Sequence, residues 1–138
     1  IYHAAACLEG PGAAVIANNA FEKNNVAFHV ATHGAKDVLI RDNTYADNDI
    51  AVLLDSKGAT FRNERINGGQ IGVRLNEGGE ATLVACHIGV EKPNAEANVQ
   101  VEAKNGSLIL QGCTLGGPKK VVGNADTVKT VPPAPNPI

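Results

Sequence analysis

The sequence predicts an all-β fold, a parallel β-helix of about five to six short coils, and three observations predict it. Residues 38–75 say the same thing twice. Ile40-Arg41-Asp42-Asn43-Thr44-Tyr45, then Ile50-Ala51-Val52-Leu53-Leu54, returns about 21 residues later as Phe61-Arg62-Asn63-Glu64-Arg65-Ile66, then Ile71-Gly72-Val73-Arg74-Leu75. The segments also alternate with period two, as strands do, and lack the i, i+3, i+4, i+7 spacing of an amphipathic helix. Finally, 43% of residues are hydrophobic but only 4% aromatic, with 15 Gly and neither Trp nor Met, which suits a narrow stacked interior.

Taken in order, residues 4–8 fit the second strand of a coil whose first half is absent. With the repeat as ruler, first strands begin their common pattern at Ile16, Ile40, Phe61, Leu83 and Ile109, and second strands at Val26, Ile50, Ile71 and Ala97. The inward columns then read Ile16/Ile40/Phe61/Leu83/Ile109, Phe21/Tyr45/Ile66/Ile88, Val26/Ile50/Ile71/Ala97, Phe28/Val52/Val73/Val99 and Leu8/Val30/Leu54/Leu75/Val101. Turn-type clusters follow the second strands at 10–12, 32–37, 55–58, 76–79 and 103–106. An antiparallel sandwich would also show short strands and turns. Here like residues recur once per coil and not once per hairpin, so each strand pairs with its own copy and the sheets are parallel.

Two departures mark the chain. Residues 89–97 (GVEKPNAEA) are about four longer than the matching loops, a protrusion of the kind that often binds. Residues 127–138 hold four of the seven prolines. The expected organisation is a β-helix over residues 1–122 and a proline-rich tail or linker over 123–138. Ile1 in first place, without Met, points to a processed form or an excised fragment, and 1–4 make no polar cap. The N-terminal end of the solenoid is therefore expected to be covered by another chain or segment.

The net charge of −2 and pI near 6.1 leave no basic footprint, so no nucleic-acid partner is expected. No apolar run approaches the roughly 18 residues that span a bilayer, so no membrane insertion is expected. Three cysteines, Cys7, Cys86 and Cys113, do not form a disulfide framework. Cys86 and Cys113 fall on adjacent coils, one column out of register. Buried thiols are the plainer expectation, and a disulfide between them is the alternative.

The register I-x-[N/D]-N-x-[F/Y]-x-x-N-x-[V/I]-A-[F/V]-x-[V/L], found at 16–30 and 40–54, resembles the repeats of right-handed parallel β-helix proteins, the pectin-lyase-like superfamily, and within it the NosD-type and carbohydrate-associated repeats. The resemblance implies a right-handed coil and an asparagine column at the bend after the first strand, here Asn19 and Asn43, then Glu64, Cys86 and Gly112. It also implies an association with carbohydrate outside the cell, in the periplasm or at the cell surface. Its enzymes are polysaccharide lyases, epimerases and glycoside hydrolases, and whether this chain is an enzyme stays open. A polyuronate would need cations to pair its carboxylates. Arg41, Arg62, Arg65, His87 and Arg74 are the outward candidates, with Arg41, Arg62 and Arg65 the best cluster. The competing reading of these charges, beside Asp42, Asp49, Asp55 and Glu64, is a solvated surface with weak ion pairs.

No cofactor is expected. The acidic set Asp42, Asp47, Asp49 and Asp55 is oxygen-rich and leaves Ca²⁺ as an option, although it lacks the spacing of a D-x-D-x-D-G loop. His3, Cys7, His29 and His33 gather near the first coils without zinc-type spacing. Cys7, His29, Leu53, Arg74 and Gln100 share one outward column. Against the carbohydrate reading stands a second one, a non-catalytic structural module that assembles with other chains or domains.

Overall fold

The computed structural model describes residues 4–8, 12–31, 35–55, 57–76, 78–101 and 106–133. Their strands stack into three parallel sheets, and every neighbour in a sheet is the corresponding strand of the next coil. Sheet A runs β1 (Ala4–Leu8), β4 (Val26–Val30), β7 (Ile50–Leu54), β10 (Ile71–Leu75), β13 (Ala97–Val101) and β16 (Val121–Gly123). Sheet B runs β2 (Gly12–Ala17), β5 (Ala35–Arg41), β8 (Ala59–Arg62), β11 (Glu80–Val84), β14 (Ser107–Gln111) and β17 (Val128–Val131). Sheet C runs β3 (Ala20–Glu22), β6 (Thr44–Ala46), β9 (Arg65–Asn67), β12 (His87–Gly89) and β15 (Thr114–Gly116). The result is a right-handed parallel β-solenoid of about five turns.

Two corners close each turn, and single residues in left-handed backbone make them. Between sheets B and C these are Asn18 (φ 60), Asp42 (57), Asn63 (51), Ala85 (54) and Gly112 (62). Between sheets C and A they are Lys23 (54), Asp47 (54) and Gly68 (72). Asn, Asp and Gly tolerate that region, while Ala85 and Lys23 hold it against their preference. At the second corner Gly69 (φ 84) follows Gly68, and a Cβ there would lie 1.9 Å from the Asn48 carbonyl oxygen.

Inside the turns the columns align as Ile16/Ile40/Phe61/Leu83, Phe21/Tyr45/Ile66/Ile88, Phe28/Val52/Val73/Val99 and Val30/Leu54/Leu75/Val101. At the first coil the backbone of Leu8 pairs with that of Val30. Phe21 stacks on Tyr45 with centroids 5.2 Å apart, and Phe28 meets Phe61 edge-on at 6.4 Å. Each fully buried aliphatic or aromatic side chain of this kind contributes about 1.5–3 kcal/mol.

Three placements differ from the sequence expectation. Leu110, not Ile109, lies over Leu83, while Ile109 lies over Thr82 and faces outward. The sequence Leu108-Ile109-Leu110 is apolar throughout, so alternation does not fix its register; the backbone pairing does. The bend column consequently ends in Cys113, and Gly112 takes the left-handed corner, so Cys86 and Cys113 fall in the same column.

The second difference lies in sheet A. Ala27 and Phe28, like Ala51 and Val52, both enter the main core, which interrupts the alternation. Val26, Ile50 and Ile71 are displaced into a separate buried cluster with Leu53, against which Ala4 packs. Leu53, expected to face outward, is 0% exposed.

Third, parallel pairing runs past residue 122: β17 lies on β14 from Leu108↔Val128 to Gln111↔Val131. The proline-rich residues 134–138 lie outside the described residues, as do residues 1–3 with the expected absence of a cap. The loop from Val90 to Glu96 protrudes as expected, with a turn closed by Ala95 N–H on the Lys92 carbonyl at 3.0 Å and with Glu91–Asn94 exposed.

Candidate functional site

The outer face of sheet B carries residues from three successive coils. Thr60 pairs with Thr82 and Thr82 with Ile109, while Glu80 pairs with Ser107. With Gly58 they line an open groove of about 310 Å³. Small side chains make it: strands hold outward positions at fixed spacing, so a run of Gly, Thr and Ser leaves a trough where larger residues would leave a wall. The groove presents three hydroxyls and one carboxylate. Nothing in the sequence reading singled these residues out. The available signal was Thr60 and Thr82 at the same outward position of consecutive coils.

Two residues along the same face, Arg41 pairs with Arg62. Arg41 Nη1 donates to Asp42 Oδ2 at 2.7 Å, and Asn63 Nδ2 donates to Asp42 Oδ1 at 2.8 Å. The Asn63 hydrogen bond first, and the Arg41 guanidinium second, hold the Asp42 carboxyl below the usual carboxylate range. Arg62 is exposed.

Arg65 and His87 pair with each other around the corner on sheet C. There His87 Nδ1 lies 2.7 Å from Thr114 Oγ1. The candidates thus form two pairs, Arg41/Arg62 and Arg65/His87, flanking the corner at Asn63. Arg74 does not join them. It sits on sheet A, where its Nε donates to Asn76 Oδ1 at 3.2 Å.

Beneath that corner the bend column is polar and buried. Asn43 Oδ1 accepts from Asn19 N at 2.9 Å and Asn19 Nδ2 at 3.1 Å, and Asn43 Nδ2 donates to the Ile16 carbonyl at 3.2 Å. Glu64, 1% exposed, takes over the acceptor role in the next coil. Its Oε2 accepts from Asn43 N at 2.7 Å, and its Oε1 from Asn43 Nδ2 at 3.1 Å and from Tyr45 Oη at 2.7 Å. Burial pushes both the Glu64 carboxyl and the Tyr45 phenol up.

A second asparagine column, at the later Asn of the same register, stands five residues on. Asn48 Oδ1 accepts from Asn24 N at 2.9 Å and Asn24 Nδ2 at 3.0 Å, and Asn48 Nδ2 donates to the Phe21 carbonyl at 3.1 Å. Both columns are accounted for by stacking.

Above Glu64 the bend column continues as thiols. Cys86 Sγ lies 3.5 Å from the Val84 carbonyl, and Cys113 Sγ lies 3.2 Å from the Leu83 carbonyl. Both are reduced. Their mutual hydrogen bond lowers Cys113 to about 7 and pushes Cys86 up.

Of the metal-type residues, Cys7 and His29 are neighbours, with Sγ 4.0 Å from Nδ1, while His3 and His33 lie outside the described residues. Among the described residues no three of His, Cys, Asp and Glu converge as metal ligands. Asp42 and Asp47 occupy corners, Asp49 lies 3.5 Å from Asn25 Nδ2, and Asp55 pairs with His29. The described residues include no helix long and apolar enough to cross a membrane.

Compared with known proteins, residues 1–128 match the family model described as right handed beta helix region. No curated protein and no solved structure gives a significant match. The match spans nearly the whole chain and agrees with parallel pairing in all three sheets, so the chain belongs to the right-handed β-helix family.

Proposed function

We propose that the protein is a carbohydrate-associated β-helix module that binds an acidic polysaccharide across the outer face of sheet B, outside the cell or at its surface. The observation that supports this reading is one continuous face that carries both the hydroxyl-lined groove and the Arg41/Arg62 pair. A sugar polymer presents hydroxyls that Thr60, Thr82, Ser107 and Glu80 can match. A uronic-acid unit adds a carboxylate for which exposed Arg62 is the available cation, since Arg41 is already engaged by Asp42. Arg65 extends the cationic edge around the corner, with His87 beside it.

Titration with polygalacturonate and alginate, with a neutral glucan as control, tests it. Binding to the acidic polymers alone, weakened by added salt, is expected. Equal binding to the neutral glucan, or none to any polymer, sinks the proposal. Following unsaturated-product absorbance in the same incubations tests the lyase option separately.

A second reading, a structural module that assembles through its end, is favoured by the first coil. Ile16 and Phe21 are only partly buried there, and Val15 is 63% exposed. Sedimentation across a concentration series distinguishes it: self-association that Val15→Lys abolishes would support assembly.

A further inference from the structure

We propose that Cys7, His29 and Asp55 form a thiol-nucleophile site that takes a small disulfide by exchange. The three residues come from consecutive coils. β1 pairs with β4 at Cys7↔His29, and Asp55 follows directly on β7, the next strand of the same sheet. Cys7 is an exposed thiol. His29 Nδ1 stands 4.0 Å from its sulfur, and His29 Nε2 stands 2.5 Å from Asp55 Oδ2. The imidazole and the carboxylate are part-buried, with side-chain exposures of 17% and 30%.

The carboxylate decides the tautomer. An ionised Asp only accepts hydrogen bonds, so in the neutral imidazole Nε2 carries the proton and donates a hydrogen bond to Asp55. In that neutral form Nδ1 keeps its lone pair on the side of Cys7 and can accept the Sγ proton. The order is nucleophile, base, then the group that orients the base and stabilises its charged form, the general arrangement of an activated nucleophile.

Disulfide exchange asks for a thiolate, solvent access and a proton for the leaving sulfur. In the step proposed, the Cys7 proton passes to His29 Nδ1 as Sγ attacks one sulfur of the small disulfide. The Sγ–S bond forms as the S–S bond breaks, and the departing thiolate takes the proton from His29. Cys7 is oxidised to a mixed disulfide, the leaving half is reduced to its thiol, and atoms and electrons balance without another oxidant. About 3% of an ordinary thiol is ionised at pH 7, so assisted ionisation gains at most roughly thirtyfold. The lower nucleophilicity of a stabilised thiolate takes part of this back, leaving a gain of about three- to tenfold.

The experiment uses the full chain and oxidised glutathione at pH 7, with adducts at each cysteine quantified by peptide mass spectrometry over time. A synthetic peptide spanning residues 4–10 provides the unassisted rate. Adduct formation at Cys7 about three- to tenfold faster than in the peptide is expected. His29→Gln should return Cys7 to the peptide rate without altering rates at Cys86 or Cys113, and Asp55→Asn should lie between. Circular dichroism of each variant excludes unfolding as the cause. The proposal is overturned if wild-type Cys7 reacts no faster than the peptide, or if the folded His29→Gln variant reacts as fast as wild type.

Discussion

Tyr45 donates its phenolic hydrogen to Glu64 Oε1 across one coil, 2.7 Å away inside the solenoid, and thereby ties the aromatic column of sheet C to the polar bend column. Glu64 accepts two further donors from Asn43. Replacing it by an apolar residue leaves three buried donors without an acceptor. Glu64→Leu should therefore cost about 3 kcal/mol or more, and Glu64→Gln about 1 kcal/mol, measured by urea unfolding. Equal losses for the two would show that volume, not hydrogen bonding, matters at this position.

The same residue predicts a pH dependence. Burial raises the Glu64 carboxyl above its ordinary value of 4.5 despite the opposing donors. A carboxyl with a folded value above its unfolded one binds its proton more tightly in the native state. Its contribution is complete below the unfolded value and is lost as pH rises through the folded one. Stability should fall on this account from about pH 4.5 upward, and Glu64→Gln should flatten that decline. Parallel pH profiles of urea midpoint for the two proteins would refute the assignment.

Ala85 occupies a left-handed corner at φ 54, where its Cβ is unfavourable. Ala85→Gly should raise stability by about 0.5–1 kcal/mol, visible as a higher Tm. Gly69→Ala, at φ 84 with the Asn48 carbonyl oxygen in the way, should do the opposite by more than about 2 kcal/mol. A loss on Ala85→Gly would mean that the corner does not limit stability.

Leu53 gives a contrast with its neighbour on the chain. Val52 lies in the main core and Leu53 in the smaller cluster with Val26, Ile50 and Ile71, yet both are buried. Leu53→Ala should cost about 2–4 kcal/mol. A change within about 0.5 kcal/mol, as expected for a solvent-facing position, would contradict the buried cluster.

Arg62 is exposed, so Arg62→Ala should leave stability within about 0.5 kcal/mol while weakening polyuronate binding about threefold, the scale of one exposed ion pair. Unchanged affinity would remove Arg62 from the binding face.

The fold was legible because stacking forces like residues into columns. Phe28, Val52, Val73 and Val99 announce their shared position at any register of the surrounding loops. Legibility failed where the sequence carries no contrast. Ile50-Ala51-Val52-Leu53-Leu54 is apolar at every position, so only the backbone shows that Ala51 turns inward with Val52. Leu108-Ile109-Leu110 hides its register for the same reason. The candidate cations were legible as outward residues. Their division among three faces was not, because it depends on which side of the corner at Asn63 each one falls. The groove was invisible because Thr, Ser and Gly look alike as filler and as lining.

The coil lengths have a consequence for how such a chain can change. Matching residues stand 24 positions apart between Asn19 and Asn43 but 21 apart between Asn43 and Glu64. The longer loop before Ala97 leaves both Ile71↔Ala97 and Ile88↔Leu115 in register. Insertions and deletions are absorbed at the turns between walls, and each wall continues as if nothing had happened. Duplicating one whole coil in frame would therefore add a rung of about 4.8 Å and extend every face at once, including the groove. For a lineage built this way, the reach along a polymer can grow by gene-level copying alone, without redesign of a single interior contact.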